Sequence, residues 1–239
     1  VIKSRFVHRV SIIVLALDLL LVLSLLIAPL TLDKGTVIGL DGRANALDYT
    51  DRWDDLNPFA SIVYLFGDYN CHQKEERSLI LNGNQLPVCA RDVAIFTGIL
   101  LGAALLVRAS VDDDPSLTVL GQLPDRLRKG FIFKRPMLSF ILLLILLLMP
   151  TAVDGGVQMV SGLGLLPFGL HYESTNPTRL LTGFPTGVAA GLLTTALLMS
   201  LFSRRDSGQK ALMGYLFVQT RSVLNEGNKK GGGDGPGSK

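Results

Sequence analysis

The sequence predicts an all-α membrane protein, a bundle of about four transmembrane helices with a sizeable extracytoplasmic loop domain. Three observations carry this expectation. The 239 residues are 48% hydrophobic with a mean hydropathy of +0.39, more apolar than a wet surface allows. Several apolar runs approach or exceed the ~17 residues that a helix needs to cross a ~30 Å hydrocarbon layer. Lysines and arginines also gather in alternate connecting segments.

The elements follow in order. Residues 1–10 form a basic start with Lys3, Arg5 and Arg9, and 11–32 is an apolar run containing one charge, Asp18. The run is longer than the core of a secretory signal and no small-residue cleavage site follows it, so it is expected to be a retained first span. An ionised carboxylate inside a span costs roughly 3 kcal/mol, so Asp18 is expected to face protein or to be protonated. Residues 33–91 form the loop domain, with Trp53, Tyr49, Tyr64 and Tyr69; its apolar stretch 58–66 suits a headgroup surface. The second span is 92–107, extendable to Pro87, and 108–136 is a basic inner loop. The third span is 137–153. Residues 154–179 are broken by glycine and proline and are expected to re-enter or skim the membrane. The fourth span is 180–202, and 203–239 is a tail with an amphipathic stretch at 210–224 and a glycine-rich flexible end.

Placing both termini in the cytoplasm of a cell (plasma) membrane puts sixteen lysines and arginines inside against seven outside. The net charge is only +3 and the basic residues do not form one stripe, so a nucleic-acid partner is not expected. The expected partners are the lipid bilayer and other membrane-protein subunits. Gly98 and Gly102 in span two, and Gly183, Gly187 and Gly191 in span four, recur every four residues, the spacing that lets helix backbones approach.

The chemically rich segments all fall on the outer side of this topology. They are Cys71-His72-Gln73, Glu76-Arg77-Ser78, Gln85 through Asp92, Asp154-Gly155 with Gln158, and Ser174-Thr175 with Arg179 and Thr182-Gly183. A compact bundle gathers them at one surface. This motif set, from about Asp68 to Gly187, resembles the domain of unknown function 2085, a prokaryotic family of small membrane proteins. The resemblance implies a membrane protein with these outer-face motifs and says nothing about a reaction. Many relatives carry a further cysteine or arginine where this chain has Asp92, which argues against a cysteine-rich metal cluster.

Three readings of the cysteines stay open. Cys71 and Cys89 can form a disulfide closing a short loop, worth roughly 3 kcal/mol. They can ligate a metal such as zinc, with His72 and one of Asp154 or His171 completing the set. Or Cys71 can be a nucleophile with His72 as its base. Arg77, Arg91 and Arg179 around Asp92 and Asp154 suggest structural charge pairs or a cradle for an anion such as a lipid phosphate. Two function classes result: a structural or accessory subunit of a membrane complex, or a metal-binding protein or enzyme acting on a lipid headgroup at the cluster.

Overall fold

The computed structural model describes residues 5–43, 46–124, 135–167 and 170–231. The helix α1, Arg5–Ile27, forms from a leucine-, isoleucine- and valine-rich run without an internal glycine or proline, and closes in a 3₁₀ turn, Ala28–Thr31, at Pro29. Two short helices follow, α2 (Thr50–Asp54) and α3 (Pro58–Asn70), then strands β1 (Ser78–Leu81) and β2 (Asn84–Cys89). Further helices among the described residues are α4 (Ala90–Leu106), α5 (Pro115–Leu120), α6 (Pro136–Gly162) and α7 (Asn176–Gly231).

Among the described residues, three segments are long and apolar enough to cross a membrane: His8–Thr31, Pro136–Gly162 and Asn176–Arg205. The first and second of these leave most of their surface uncovered by protein, as lipid-facing helices do. Helix α4 has 17 residues, about 25 Å at 1.5 Å per residue, short of a full hydrocarbon layer. It packs most extensively against α7, which also packs on α6, while α1 lies against α4 and α7. His8 Nδ1, 3.0 Å from the Val107 carbonyl, joins the start of α1 to the end of α4.

The α4–α7 contact runs along glycines. A Cβ on Gly98 would lie 2.8 Å from Gly187 Cα, one on Gly102 2.6 Å from the Val188 carbonyl, and one on Gly183 2.7 Å from the Arg91 carbonyl. On Gly187 and Gly191 it would overlap the Ile95 and Ile99 carbonyls. The helices touch backbone to backbone, which only absent side chains permit.

The expectation of an all-α chain needs correction, because β1 and β2 form an antiparallel hairpin. Asn82 (φ 54°) and Gly83 (φ 69°) make its two-residue turn, and two successive positive φ values match the right-handed twist of the strands. Leu81 pairs with Asn84 and Ile80 with Gln85, and a bulge then shifts the register so that Ser78 faces Cys89. Between α1 and α4 the chain forms a cap whose core holds Trp53 stacked on Tyr64, ring centroids 5.2 Å apart, with Val37, Leu40, Ala60 and Val88. A second core, Leu106, Leu120, Phe140, Leu192 and Met199, closes the other end of the helices.

Two helices overrun their expected ends. Helix α6 passes through Asp154-Gly155-Gly156 to Gly162, so the first part of the expected re-entrant segment is helix; it stops where Gly164 takes φ +69°. Helix α7 begins at Asn176 and continues beyond residue 202 to Gly231. The basic side chains at 126–134 and the glycine-rich end from 232 lie outside the described residues. Asp18 keeps a buried Oδ2 with no hydrogen-bond partner among the described residues.

Candidate functional site

Cys71 ends α3 in extended backbone (φ −136°, ψ 150°), and Cys89 ends β2 as the N-cap residue of α4. What brings them together is a buried amide network. Gln73, held in the left-handed region at φ 48°, donates from Nε2 to the Pro87 carbonyl at 2.7 Å and to the Tyr64 carbonyl at 3.3 Å. Gln85 answers from β2, donating to the Gln73 carbonyl and, at 3.2 Å, to Ser78 Oγ. Gly67 lets α3 approach this strand, since a Cβ there would collide with Pro87. Buried amides stay in place only when paired, so this network fixes the loop of Cys71 against the strand of Cys89.

The Cys89 N–H donates to Cys71 Sγ at 3.2 Å, and the Cys89 thiol donates to Asp92 Oδ2 at 3.2 Å. Cys71, Cys89 and Asp92 place their ligand atoms within 4.8 Å of one another, a group able to hold a metal ion. Cys71 and Cys89 are not joined by a disulfide in this structure. The hydrogen bond from Cys71 lowers the Cys89 thiol below its ordinary value, and the same bond, with burial and the nearby negative charge, raises Cys71 far above it. A helix N-terminus also favours a thiolate.

Neither His72, Asp154 nor His171 joins this group. In the extended backbone at Cys71 the next side chain turns to the opposite face, although His72 still lines the neighbouring cavity. Asp154, its side chain 5% exposed, is taken by other donors: Arg91 Nη2 at 2.5 Å, Tyr172 Oη at 2.6 Å, Ser174 Oγ at 2.9 Å and Thr182 Oγ1 at 3.3 Å. Donating to this carboxylate raises the Tyr172 phenol above its ordinary value. Asp92 therefore serves the thiols while Asp154 serves the arginine.

Cys71, Cys89 and Asp92 line one wall of a cavity of about 480 Å³ whose other walls carry His72, Lys74, Arg77, Arg91, Gln158 and Arg179. Arg77 and Arg179 share Glu173, at 2.9 and 2.7 Å, and Arg179 also donates to the Ser174 carbonyl at 2.9 Å. Arg179 is 2% exposed and lies within electrostatic reach of Arg77, Arg91 and Cys89. Sequence reasoning missed Glu173, which carries no local signal, and assigned no role to Gln73, Gln85 or Tyr172.

A family model described as "Predicted membrane protein (DUF2085)" matches residues 71–193, which span the cysteines, the cavity and the glycine contact. An uncharacterized protein of Methanocaldococcus jannaschii is 31% identical over 58% of this chain and 70% of its own length. Another, of Methanothermobacter thermautotrophicus, is 30% identical over 54% of this chain and 87% of its own. No solved structure matches the chain significantly.

Proposed function

The chain belongs to the domain of unknown function 2085 family of predicted membrane proteins, and on that footing we propose that it is a multi-pass metalloprotein holding one zinc-class ion on Cys71, Cys89 and Asp92. One observation supports the reading above the others: two sulfurs and a carboxylate oxygen cluster within 4.8 Å at the wall of a polar cavity. Zinc favours thiolate, and three protein ligands with a fourth position open to a cavity is the arrangement of reactive zinc sites, whereas structural sites are closed by four. The depressed Cys89 thiol is already disposed to lose the proton that metal binding displaces.

In this reading α4 is a fourth crossing, its short length matched by the glycine contact that holds it inside the protein. Both termini are cytoplasmic, following the basic-residue asymmetry, and the cavity opens on the extracytoplasmic face of the cell membrane. A metal then also keeps two adjacent thiols from oxidising there.

Metal analysis of the full chain, purified without chelator, tests the proposal. The expected result is one zinc per chain, lost in Cys89→Ser and Asp92→Ala, with cobalt substitution giving a thiolate-to-metal absorption band. Protein that takes up no metal from added zinc, or whose metal survives Cys89→Ser, overturns it. An impermeant maleimide applied to intact cells after chelation reads the sidedness.

An accessory-subunit reading is favoured by a different observation: α3 exposes Phe59, Ile62, Leu65 and Tyr69 on the cap. Co-purification of a stoichiometric partner from metal-free protein is the result that supports it.

A further inference from the structure

We infer that the arginine side of the cavity takes a phosphate-class oxyanion, inorganic phosphate or a phosphomonoester, beside the Cys71–Cys89–Asp92 cluster. This rests on reading the cavity as the binding centre but not on the metal itself, because the guanidinium groups are positioned independently of the thiols.

Three guanidiniums reach one cavity from three elements: Arg77 from the turn before β1, Arg91 from the first turn of α4, and Arg179 from the first turn of α7. Collecting like charges in a partly buried space is unfavourable unless anions lie among them. The carboxylates present are already heavily used. One oxygen of Glu173 accepts from Arg179 Nη2 at 2.7 Å and Gln158 Nε2 at 2.8 Å, and the other accepts from Arg77 Nη2 at 3.3 Å. One oxygen of Asp154 receives Arg91, Ser174 and Thr182. The guanidiniums, with five donors each, are not exhausted: Arg77 Nε and Arg91 Nε are buried with no hydrogen-bond partner among the described residues.

Geometry selects the ligand class. A carboxylate presents two oxygens in a plane and suits one guanidinium fork. A phosphoryl group presents three or four oxygens tetrahedrally and suits forks converging from separate directions. Helices α4 and α7 both begin at this wall, so their positive dipole ends add to the field. At about 480 Å³ the cavity also leaves room for an ester substituent. Its place at the cap end of the helices allows two sources for one chemistry, free phosphate or a lipid headgroup.

Calorimetric titration of inorganic phosphate into the full chain in phosphatidylcholine nanodiscs, as purified and after chelation, tests this. A parallel arm measures the thermal melt with phosphatidic acid added to the nanodiscs. Saturable phosphate binding that weakens roughly tenfold or more in Arg77→Gln, and less in Arg77→Lys, supports the inference with a free ligand. Absence of that binding together with a melt raised by phosphatidic acid in the wild type, but not in Arg77→Gln, supports it with a lipid headgroup. No response in either arm, or equal responses in Arg77→Gln, overturns it; Arg91→Gln is the second variant should Arg77→Gln fail to fold. Phosphate binding without zinc sinks the metal proposal alone, and zinc without phosphate binding sinks this inference alone.

Discussion

Replacing Asp154 by alanine strands a guanidinium, and the structure sets how much that costs. The carboxylate is 5% exposed, Arg91 is 17% exposed, and they meet at 2.5 Å. Removing one partner of a buried pair costs about 3–5 kcal/mol, mostly the penalty of the uncompensated charge. Arg91 retains a marginal contact to Gln158 at 3.5 Å and borders the cavity, so the lower end, about 3 kcal/mol, is expected. Tyr172 can turn its hydroxyl to water and adds little. Replacing Arg91 by methionine in the same chain removes the stranded charge, so the double variant should be more stable than the two single losses summed by about 2 kcal/mol. Reversible denaturation by sodium dodecyl sulfate in mixed micelles measures all four corners of the cycle. Additivity within about 0.5 kcal/mol would show that the carboxylate does not hold the guanidinium, and the cavity wall described above would be wrong.

Two further outcomes follow from packing and protonation. Gly187→Leu drives a side chain into the Ile95 carbonyl and should destabilise the chain by about 1–3 kcal/mol; Gly156→Ala, with nothing among the described residues within 4 Å of the added Cβ, should gain about 0.5–1 kcal/mol in the same denaturation assay. In chelated protein, Cys89 is the lowered thiol and Cys71 the raised one, so alkylation should show one fast phase whose rate climbs at lower pH than for an ordinary cysteine. Cys89→Ser should abolish that phase, and Cys71→Ala, which removes the stabilising donor, should shift it to higher pH; an ordinary profile for both thiols refutes the coupling.

The long helices were legible because hydropathy adds over a window regardless of what surrounds it, and α1, α6 and α7 rest on such runs. Their ends were not. Asp154-Gly155-Gly156 reads locally as a break, yet α6 continues through it, because Asp154 is held from outside its own helix by Arg91, Tyr172 and Ser174. Gly155 leaves Arg91 its place: an added Cβ would sit 3.4 Å from Nη1. The hairpin had a strong local signal in Asn82-Gly83, but the flanking strands hide it. They carry Asn84, Gln85 and Pro87 where alternating apolar residues would mark a strand, and Asn84 and Gln85 are fully buried against the cap.

The site separates along the same line. Cys89 and Asp92 are three residues apart at the head of one helix, so their shared face follows from helical spacing alone. Which acid serves the thiols and which serves the arginine depends on how α4 meets α6, and no spacing within either helix contains that. Adjacent residues in extended chain face apart, and His72 meets Cys71 only as a neighbour on the cavity wall. What the Cys-His-Gln motif does contribute is its third residue. Gln73 spends its amide on Pro87, two residues before Cys89, and Gln85 binds the Gln73 carbonyl in return, so two side chains without ligand chemistry of their own set the distance between the two that have it.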